Sequence, residues 1–136
     1  MDSSGAVIVA ASADPGTVRS NTLFARVLPD GTVDGSFRQD ALVAAGIRAG
    51  DFFVDSQDRI IGVIAEENGS EPIGELTYFR LNPNGELDLT FGDEGFLVDS
   101  GSLAPEIFVR LSDSLSELPD GGILSATSAG VYRFTI

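Results

Sequence analysis

Short apolar runs alternate along the chain with residues that favour tight turns. The runs at 6–11, 59–65 and 76–81 are rich in β-branched and aromatic residues, and Gly, Pro, Asn or Asp stand between them. This pattern is typical of β-strands joined by hairpins, because tight hairpin turns need residues that tolerate positive φ. The chain is therefore predicted to be all-β, with antiparallel strands.

The run at 76–81 alternates around Arg80 in a way that indicates burial of both strand faces. Phe79 and Leu81 flank the arginine on one face, because successive side chains of a strand point in opposite directions. The face that carries Arg80 also carries Tyr78. A strand that is apolar on both faces is typical of stacked sheets rather than of one exposed sheet.

The same pattern recurs along the chain with a period of about 54 residues. Segment 23–37 aligns without a gap with segment 77–91, so that Arg80 lies 54 positions after Arg26. Two further matches have an offset of 53 positions: segment 2–8 with segment 55–61, and Arg80 with Arg133. Internal repeats of this length indicate units that stack on one another.

The repeat predicts one domain over residues 1–136, built from about two and a half units of four antiparallel strands. The units are approximately 1–50, 51–104 and 105–136, and the first and last are incomplete. First strands are expected at 52–55 and 115–118, second strands at 7–10, 60–64 and 123–126, third strands around each recurring arginine, and fourth strands at 32–34 and 86–89.

Residues 40–49 fit two interpretations. Asp40 could cap a helical turn over 41–45. In the alignment, however, 41–43 falls near 95–98, which has the composition of a strand. Extended structure is therefore predicted over 40–49.

One set of residue types recurs in a fixed order: an arginine, an Asp-Gly or Asn-Gly turn, an aspartate and a phenylalanine. The set is Arg26, Asp30, Gly31, Asp34 and Phe37, and then Arg80, Asn84, Gly85, Asp88, Phe91 and Gly92. A second segment consists of Pro119, Asp120, Gly121, Ile123 and Leu124. Together these residues resemble the bacterial delta-60 repeat over nearly the whole chain. The chain departs from that pattern at Arg38, where a glycine is expected, and at 56–58, which is a weak form of Pro-Asp-Gly.

The resemblance implies blades of a β-propeller and no settled biochemical activity. Family members are generally long bacterial proteins with many repeats, often thought to be secreted or displayed on the cell surface. Propellers have about 4–8 blades, so two and a half units cannot close a ring. Other copies of the repeat, either flanking units or a second chain, are the expected partners. Exposed strand edges favour pairing through 131–136, through the strand near Val7, or through both.

The charge of the chain is strongly acidic. It has 21 acidic residues against 8 basic ones, a net charge of -13, and every basic residue is an arginine. A field of this sign repels phosphate groups, so neither nucleic acid nor an anionic membrane surface is an expected partner. A cation or a basic protein is favoured electrostatically, although an acidic surface also serves solubility alone. The first residues lack the basic start of a signal peptide, and no apolar run approaches the ~20 residues of a membrane span.

Missing residue types exclude several kinds of catalysis. Histidine, lysine and cysteine are absent, which rules out Ser-His-Asp and Cys-His sites, Schiff-base lysines and disulfides. No cofactor is expected. Paired carboxylates could in principle hydrolyse glycosides. The candidate pairs are Glu66 with Glu67, Asp93 with Glu94, and Asp113 with Glu117. In so acidic a chain, a solvated surface is the favoured explanation for them.

The recurring acids around the Gly turns are weak candidates for calcium binding. Asp30 and Asp34 surround one turn, and Asn84 and Asp88 surround the other. Calcium takes six to eight oxygen ligands, and neither segment holds a full calcium loop. The favoured interpretation is that Asp30 and Asn84 form turns, while Asp34 and Asp88 cap backbone groups or pair with arginines.

The recurring arginines, Arg26, Arg80 and Arg133, could form a ring of ligand-binding groups. A buried arginine needs a carboxylate partner, however, and the recurring aspartates are the nearest choice. Contacts between Arg26 and Asp34 and between Arg80 and Asp88 are therefore predicted. Phe37 and Phe91 are predicted to be core side chains between units rather than platforms for sugars.

These observations predict a non-catalytic structural or protein-interaction module of propeller type, belonging to a larger bacterial repeat protein or assembly. Two alternatives remain open. A lectin-like propeller would bind carbohydrate or another small ligand on a loop face, where exposed aromatic residues would cluster. A carboxylate-based glycosidase would need a cleft with two carboxyl groups about 5–10 Å apart.

Overall fold

The described residues of the computed structural model are 1–12, 21–38, 42, 47–64, 76–99, 114–127 and 130–134, and they form three antiparallel sheets. The first sheet contains β1 (Val7–Ser12) and β2 (Thr22–Val27). The second contains β3 (Ala49–Val54), β4 (Ile60–Ile64), β5 (Leu76–Leu81) and β6 (Phe96–Asp99). The third contains β7 (Ser114–Glu117), β8 (Ile123–Thr127) and β9 (Gly130–Phe134). In each sheet, strands adjacent in the chain are adjacent in space. The predicted all-β, antiparallel class is confirmed.

The three hairpins β1–β2, β4–β5 and β8–β9 have the same register relative to their arginines. Arg26 lies opposite Ile8, Arg80 opposite Ile61, and Arg133 opposite Leu124. A shift of one residue would exchange the two faces of a strand, so a shared register places equivalent side chains on equivalent faces. The offsets of 53 and 54 seen in the sequence therefore correspond to equivalent positions in these hairpins.

Two apolar cores lie between the sheets, one on each face of the second sheet. The first core contains Phe24, Phe37, Leu42, Ile60, Phe79 and Leu81, and the second contains Ile61, Val63, Tyr78, Phe91, Leu115 and Ile123. Phe79 and Tyr78 are neighbours in β5, yet each belongs to a different core and is fully buried. The prediction that this strand is buried on both faces is confirmed. Each fully buried large side chain contributes about 1.5–3 kcal/mol.

Gly62 makes room for one of these core side chains. A Cβ atom on Gly62 would lie 2.4 Å from the Phe79 ring. The two residues are direct partners in the β4–β5 ladder, so the ring packs over the glycine. An apolar residue at position 62 would displace Phe79 from its core.

The prediction that the fourth strand of each unit lies at 32–34 and 86–89 is wrong. Each segment contributes only a single bridge, Val27 to Val33 and Leu81 to Leu87. Directly after Asp88 the chain turns again, because the amide of Phe91 donates to the Asp88 carbonyl. The segment is too short for a ladder, and β6 supplies the fourth strand of the second sheet instead.

The prediction of extended structure over 40–49 concerns mainly residues outside the described part. Of these, Leu42 and residues 47–49 are described. The amide of Ile47 donates to the carbonyl of Leu42 at 2.9 Å. Among the described residues of this stretch, strand structure begins only at Ala49, the first residue of β3. Within the described ranges, no helix has the length and apolar character to cross a bilayer.

Candidate functional site

Five tight turns in the described part of the chain share one hydrogen-bond pattern. The amide of the first residue donates to the carbonyl four positions later, and the amide of the fourth donates back to the carbonyl of the first. These turns begin at Asp2, Leu28, Asp55, Asn82 and Leu118, and their fourth residues, all with positive φ, are Gly5, Gly31, Asp58, Gly85 and Gly121. The pattern is that of a three-residue hairpin loop with a left-handed residue at its end.

The turn at Asp55 explains how a weak form of the Pro-Asp-Gly motif still folds. Asp58 has a φ of 62°, the place that glycine takes in the other turns. Aspartate visits this region more readily than most residues do. The Asp55 carboxylate also accepts the amides of Gln57 and Arg59, both at 2.9 Å, which fixes the loop.

Aspartate and asparagine side chains tie down these turns and the ones that follow them. In each case a side-chain oxygen accepts the amide two residues later. The bonds run from Ser4 to Asp2, Thr32 to Asp30, Ser36 to Asp34, Gln57 to Asp55, Glu86 to Asn84, Thr90 to Asp88, and Gly122 to Asp120. The calcium candidates Asp30, Asp34, Asn84 and Asp88 are thus all turn-forming residues. Among the described residues, no group of three or more acidic side chains is placed to hold a metal ion.

Arg26 connects two turns of the first sheet. Its Nε atom donates to Asp2 Oδ2 at 2.7 Å, and its Nη1 atom donates to Asp34 Oδ2 at 3.1 Å. Its Nη2 atom donates to Ser4 Oγ at 3.0 Å. The predicted contact with Asp34 is confirmed. Sequence reasoning missed Asp2, although Asp2 and Asp55 match at the offset of 53 positions.

Arg80 occupies the equivalent place in the second sheet and is more deeply buried. Its Nε atom donates to Asp88 Oδ2 at 2.7 Å, and the side chains are only 8% and 9% exposed. The guanidinium carbon also lies 4.6 Å from the centroid of the Phe91 ring, a cation–π distance. The predicted contact between Arg80 and Asp88 is confirmed.

Two further described ion pairs differ in their exposure to solvent. Arg133 pairs with Asp120, and more than half of each side chain is exposed. Arg59 pairs with Asp55, with Nη2 and Oδ2 2.6 Å apart. All three recurring arginines therefore have carboxylate partners, which leaves no open ring of guanidinium groups among them.

Two serines that lie in turns bond to carboxylates of the following sheet, and sequence reasoning missed both. The amide of Ser3 donates to Asp58 Oδ1 at 2.6 Å, and its hydroxyl donates to Asp58 Oδ2. The amide and hydroxyl of Ser56 donate to the two carboxylate oxygens of Glu117 at 2.7 and 2.8 Å. Ser3 and Ser56 match at the offset of 53, which is the signal that could have shown their common role. In the turn that begins at Leu118, the equivalent position is Pro119, which lacks an amide hydrogen.

Of the carboxylate pairs proposed from the sequence, only Asp93 with Glu94 lies wholly within the described residues. Glu117 is occupied by Ser56, and Asp93 and Glu94 are exposed on a turn. Glu66, Glu67 and Asp113 lie outside the described residues.

Phe37 and Phe91 both lie inside the protein. Phe37 is 4% exposed and packs with Ile60 and Phe79 of the second sheet. Phe91 is 1% exposed and belongs to the core between the second and third sheets. Both side chains join adjacent sheets, as the core interpretation predicted.

Hydrogen bonds shift the pKa values of several carboxyl groups in this network. Burial raises the pKa of Asp88, but hydrogen bonds from Thr90 and Arg80 outweigh it and hold that pKa below 3.8. The pKa of Asp34 is lowered by Ser36 first and by Arg26 after it. The hydrogen bond with Asp2 raises the pKa of Arg26. These groups are therefore held in their charged forms, as structural ion pairs require.

The lowered pKa values predict a loss of stability in acid. A carboxyl group whose pKa is lower in the folded chain adds stability above its ordinary value of 3.8, and this stability is lost as the pH falls through the folded pKa. The urea midpoint, followed by circular dichroism, should therefore fall steeply below pH 3.8. The variant Asp88→Asn should show a smaller fall, because it lacks one of the shifted groups. An equal fall in both proteins would contradict this assignment.

The comparisons with known proteins gave no match. Neither a protein-family model, nor a curated protein, nor a solved structure matches the chain. The geometry of the site is therefore the basis for a functional proposal.

Proposed function

We propose that the chain is a non-catalytic structural and protein-interaction module built from units of β-propeller-blade type. It would belong to a larger bacterial repeat protein or assembly, as its resemblance to the delta-60 repeat implies. One observation carries the proposal: the polar residues that recur at fixed spacing form the internal bonds of turns. Arg26, Arg80 and their aspartates bond to one another and hold loops in place.

The packing between sheets supports the same proposal. Each face of the second sheet is covered by a neighbouring sheet, and the serine–carboxylate bonds also join successive sheets. Repeat proteins derive their stability from such interfaces between neighbouring units. The partners would be further copies of the unit, reached through a free strand edge or through a sheet face.

The burial of the aromatic residues favours this function over a lectin. Every aromatic side chain whose burial is described is buried or half-buried: Phe24, Phe37, Phe52, Phe53, Tyr78, Phe79, Phe91 and Phe96. The large exposed apolar side chains of the described residues are aliphatic. Sugar-binding sites commonly need an exposed aromatic face, and this part of the chain offers none.

A carbohydrate screen tests the proposal directly. The chain should show no saturable binding on a glycan array and no hydrolysis of a panel of chromogenic glycosides. Specific, saturable binding of one glycan would overturn the proposal in favour of a lectin. Turnover that is lost in the double variant Asp93→Asn, Glu94→Gln would overturn it in favour of a glycosidase.

A further inference from the structure

The three sheets stack in one direction, and this leaves two different ends. We name the face of the second sheet that carries Ile60 and Phe79 its first face, and the face that carries Ile61 and Tyr78 its second face. Equivalent positions define the same faces in the other sheets. The first face of the second sheet packs on Phe24, which lies on the second face of the first sheet. In both interfaces, a second face covers the first face of the next sheet.

The first face of the first sheet, which we name the leading end, is apolar, and none of the three described sheets covers it. Val7, Val9 and Val33 are 45%, 42% and 58% exposed. By register, Val7 corresponds to Ile60, which is fully buried in the second sheet. The side chains at the leading end are thus of the kind that a neighbouring sheet covers elsewhere in the chain.

The turn beside the leading end also lacks a contact that the equivalent turn of the second sheet makes. In the second sheet, a Cβ atom on Gly85 would lie 2.4 Å from the carbonyl oxygen of Arg38, and the amide of Arg38 donates to the Asn84 carbonyl at 2.7 Å. At Gly31, the equivalent glycine, nothing lies within 4 Å. The segment around Phe37 and Arg38 therefore covers the later turn, and no segment of the described residues makes the same contact at the earlier one.

The second face of the third sheet, which we name the trailing end, is likewise not covered by any of the described sheets. Val131 pairs with Ala126 in the ladder and is 68% exposed. It stands at the place of Tyr78, which pairs with Val63 and is fully buried in the second core. A surface that is buried in the middle of the stack is therefore exposed at its end.

We propose that a second copy of the chain docks its trailing end on the leading end of the first. This inference rests on the proposed function, because it extends the same face-to-face packing to another molecule. The occupant is a copy of the chain because the two ends are complementary. The trailing end is a second face, the leading end is a first face, and inside the stack second faces pack on first faces. Such a head-to-tail contact is heterologous, and it gives a closed ring or a filament.

Two features set the strength of this contact. Pro119 lacks the amide hydrogen through which Ser3 and Ser56 join adjacent turns, so the contact relies on apolar packing. Each copy also carries a net charge of -13, and the copies repel one another. Because salt screens this repulsion, self-association should strengthen as salt is added. Binding of a basic foreign protein to the acidic chain would instead weaken as salt is added.

Sedimentation velocity on the full chain, at several protein and salt concentrations, tests the inference. The wild type should show larger species as either concentration rises. Val9→Asp at the leading end and Val131→Asp at the trailing end should each raise the dissociation constant at least tenfold, because each buries an unpaired charge. Leu89→Asp, which alters an exposed turn residue away from both ends, should leave self-association unchanged.

Mixing the two variants distinguishes a head-to-tail contact from a symmetric one. Val9→Asp keeps an intact trailing end and Val131→Asp an intact leading end, so the mixture should form one-to-one dimers that neither forms alone. Circular dichroism checks folding, and Val33→Asp replaces Val9→Asp if that variant is unfolded. A wild type that stays monomeric at all concentrations would overturn the inference, and so would a mixture that fails to pair. Neither result affects the proposed function, which only the carbohydrate screen overturns.

Discussion

Replacing Asp88 with alanine is expected to destabilise the protein by about 3 kcal/mol, because the change leaves a buried arginine without its carboxylate. Arg80 and Asp88 are 8% and 9% exposed, and the Nε–Oδ2 distance is 2.7 Å. The variant also loses the two hydrogen bonds that the Asp88 carboxylate accepts from Thr90. Urea unfolding at neutral pH, followed by circular dichroism, measures the loss as a fall in the midpoint.

The first sheet supplies a matched control for this prediction. Asp34 makes the same contacts as Asp88, with Arg26 and with a hydroxyl residue two positions later. Arg26, however, keeps Asp2 at 2.7 Å, and its side chain is 25% exposed. Asp34→Ala should therefore cost clearly less stability than Asp88→Ala. Equal losses would show that burial and the second partner do not decide the strength of these pairs.

The parts of the fold that follow local rules could be predicted from the sequence. Strand β4 was expected at 60–64 and lies there, because an apolar run between two turns is a local pattern. The pairing of Arg80 with Asp88 was also predictable, since the two residues recur together and a buried guanidinium needs a carboxylate.

The contacts that depend on how one sheet meets the next could not be predicted. The offset of 53 positions marks Ser3 and Ser56 as equivalent, but nothing in the sequence identifies their partners on the following sheet, Asp58 and Glu117. The fourth strand was misplaced for a related reason. The segment 86–89 follows a strong turn and has the composition of a strand, but a second turn after Asp88 ends it at once. Competition between successive turns depends on backbone hydrogen bonds that composition does not show.

The second large effect is expected at Gly85, where alanine should cost about 3 kcal/mol. Two causes combine there. The residue has a φ of +85°, which costs an L-residue about 1–2 kcal/mol. The added Cβ atom would also lie 2.4 Å from the backbone oxygen of Arg38 and 2.9 Å from the Phe37 ring, and such overpacking costs about 1–3 kcal/mol. Because the first obstacle is backbone, the segment around Arg38 has to move.

Gly31 separates these two causes, because it has a φ of +86° in the same kind of turn and an added Cβ atom there would meet nothing within 4 Å. Gly31→Ala should therefore cost only the backbone term of about 1 kcal/mol. The difference between the two variants, measured by urea unfolding of the monomer, reports the packing of the first sheet's Phe37 segment on the second sheet. If both substitutions cost the same, Gly85 is required only for its backbone conformation, and the contact with Arg38 adds no constraint of its own.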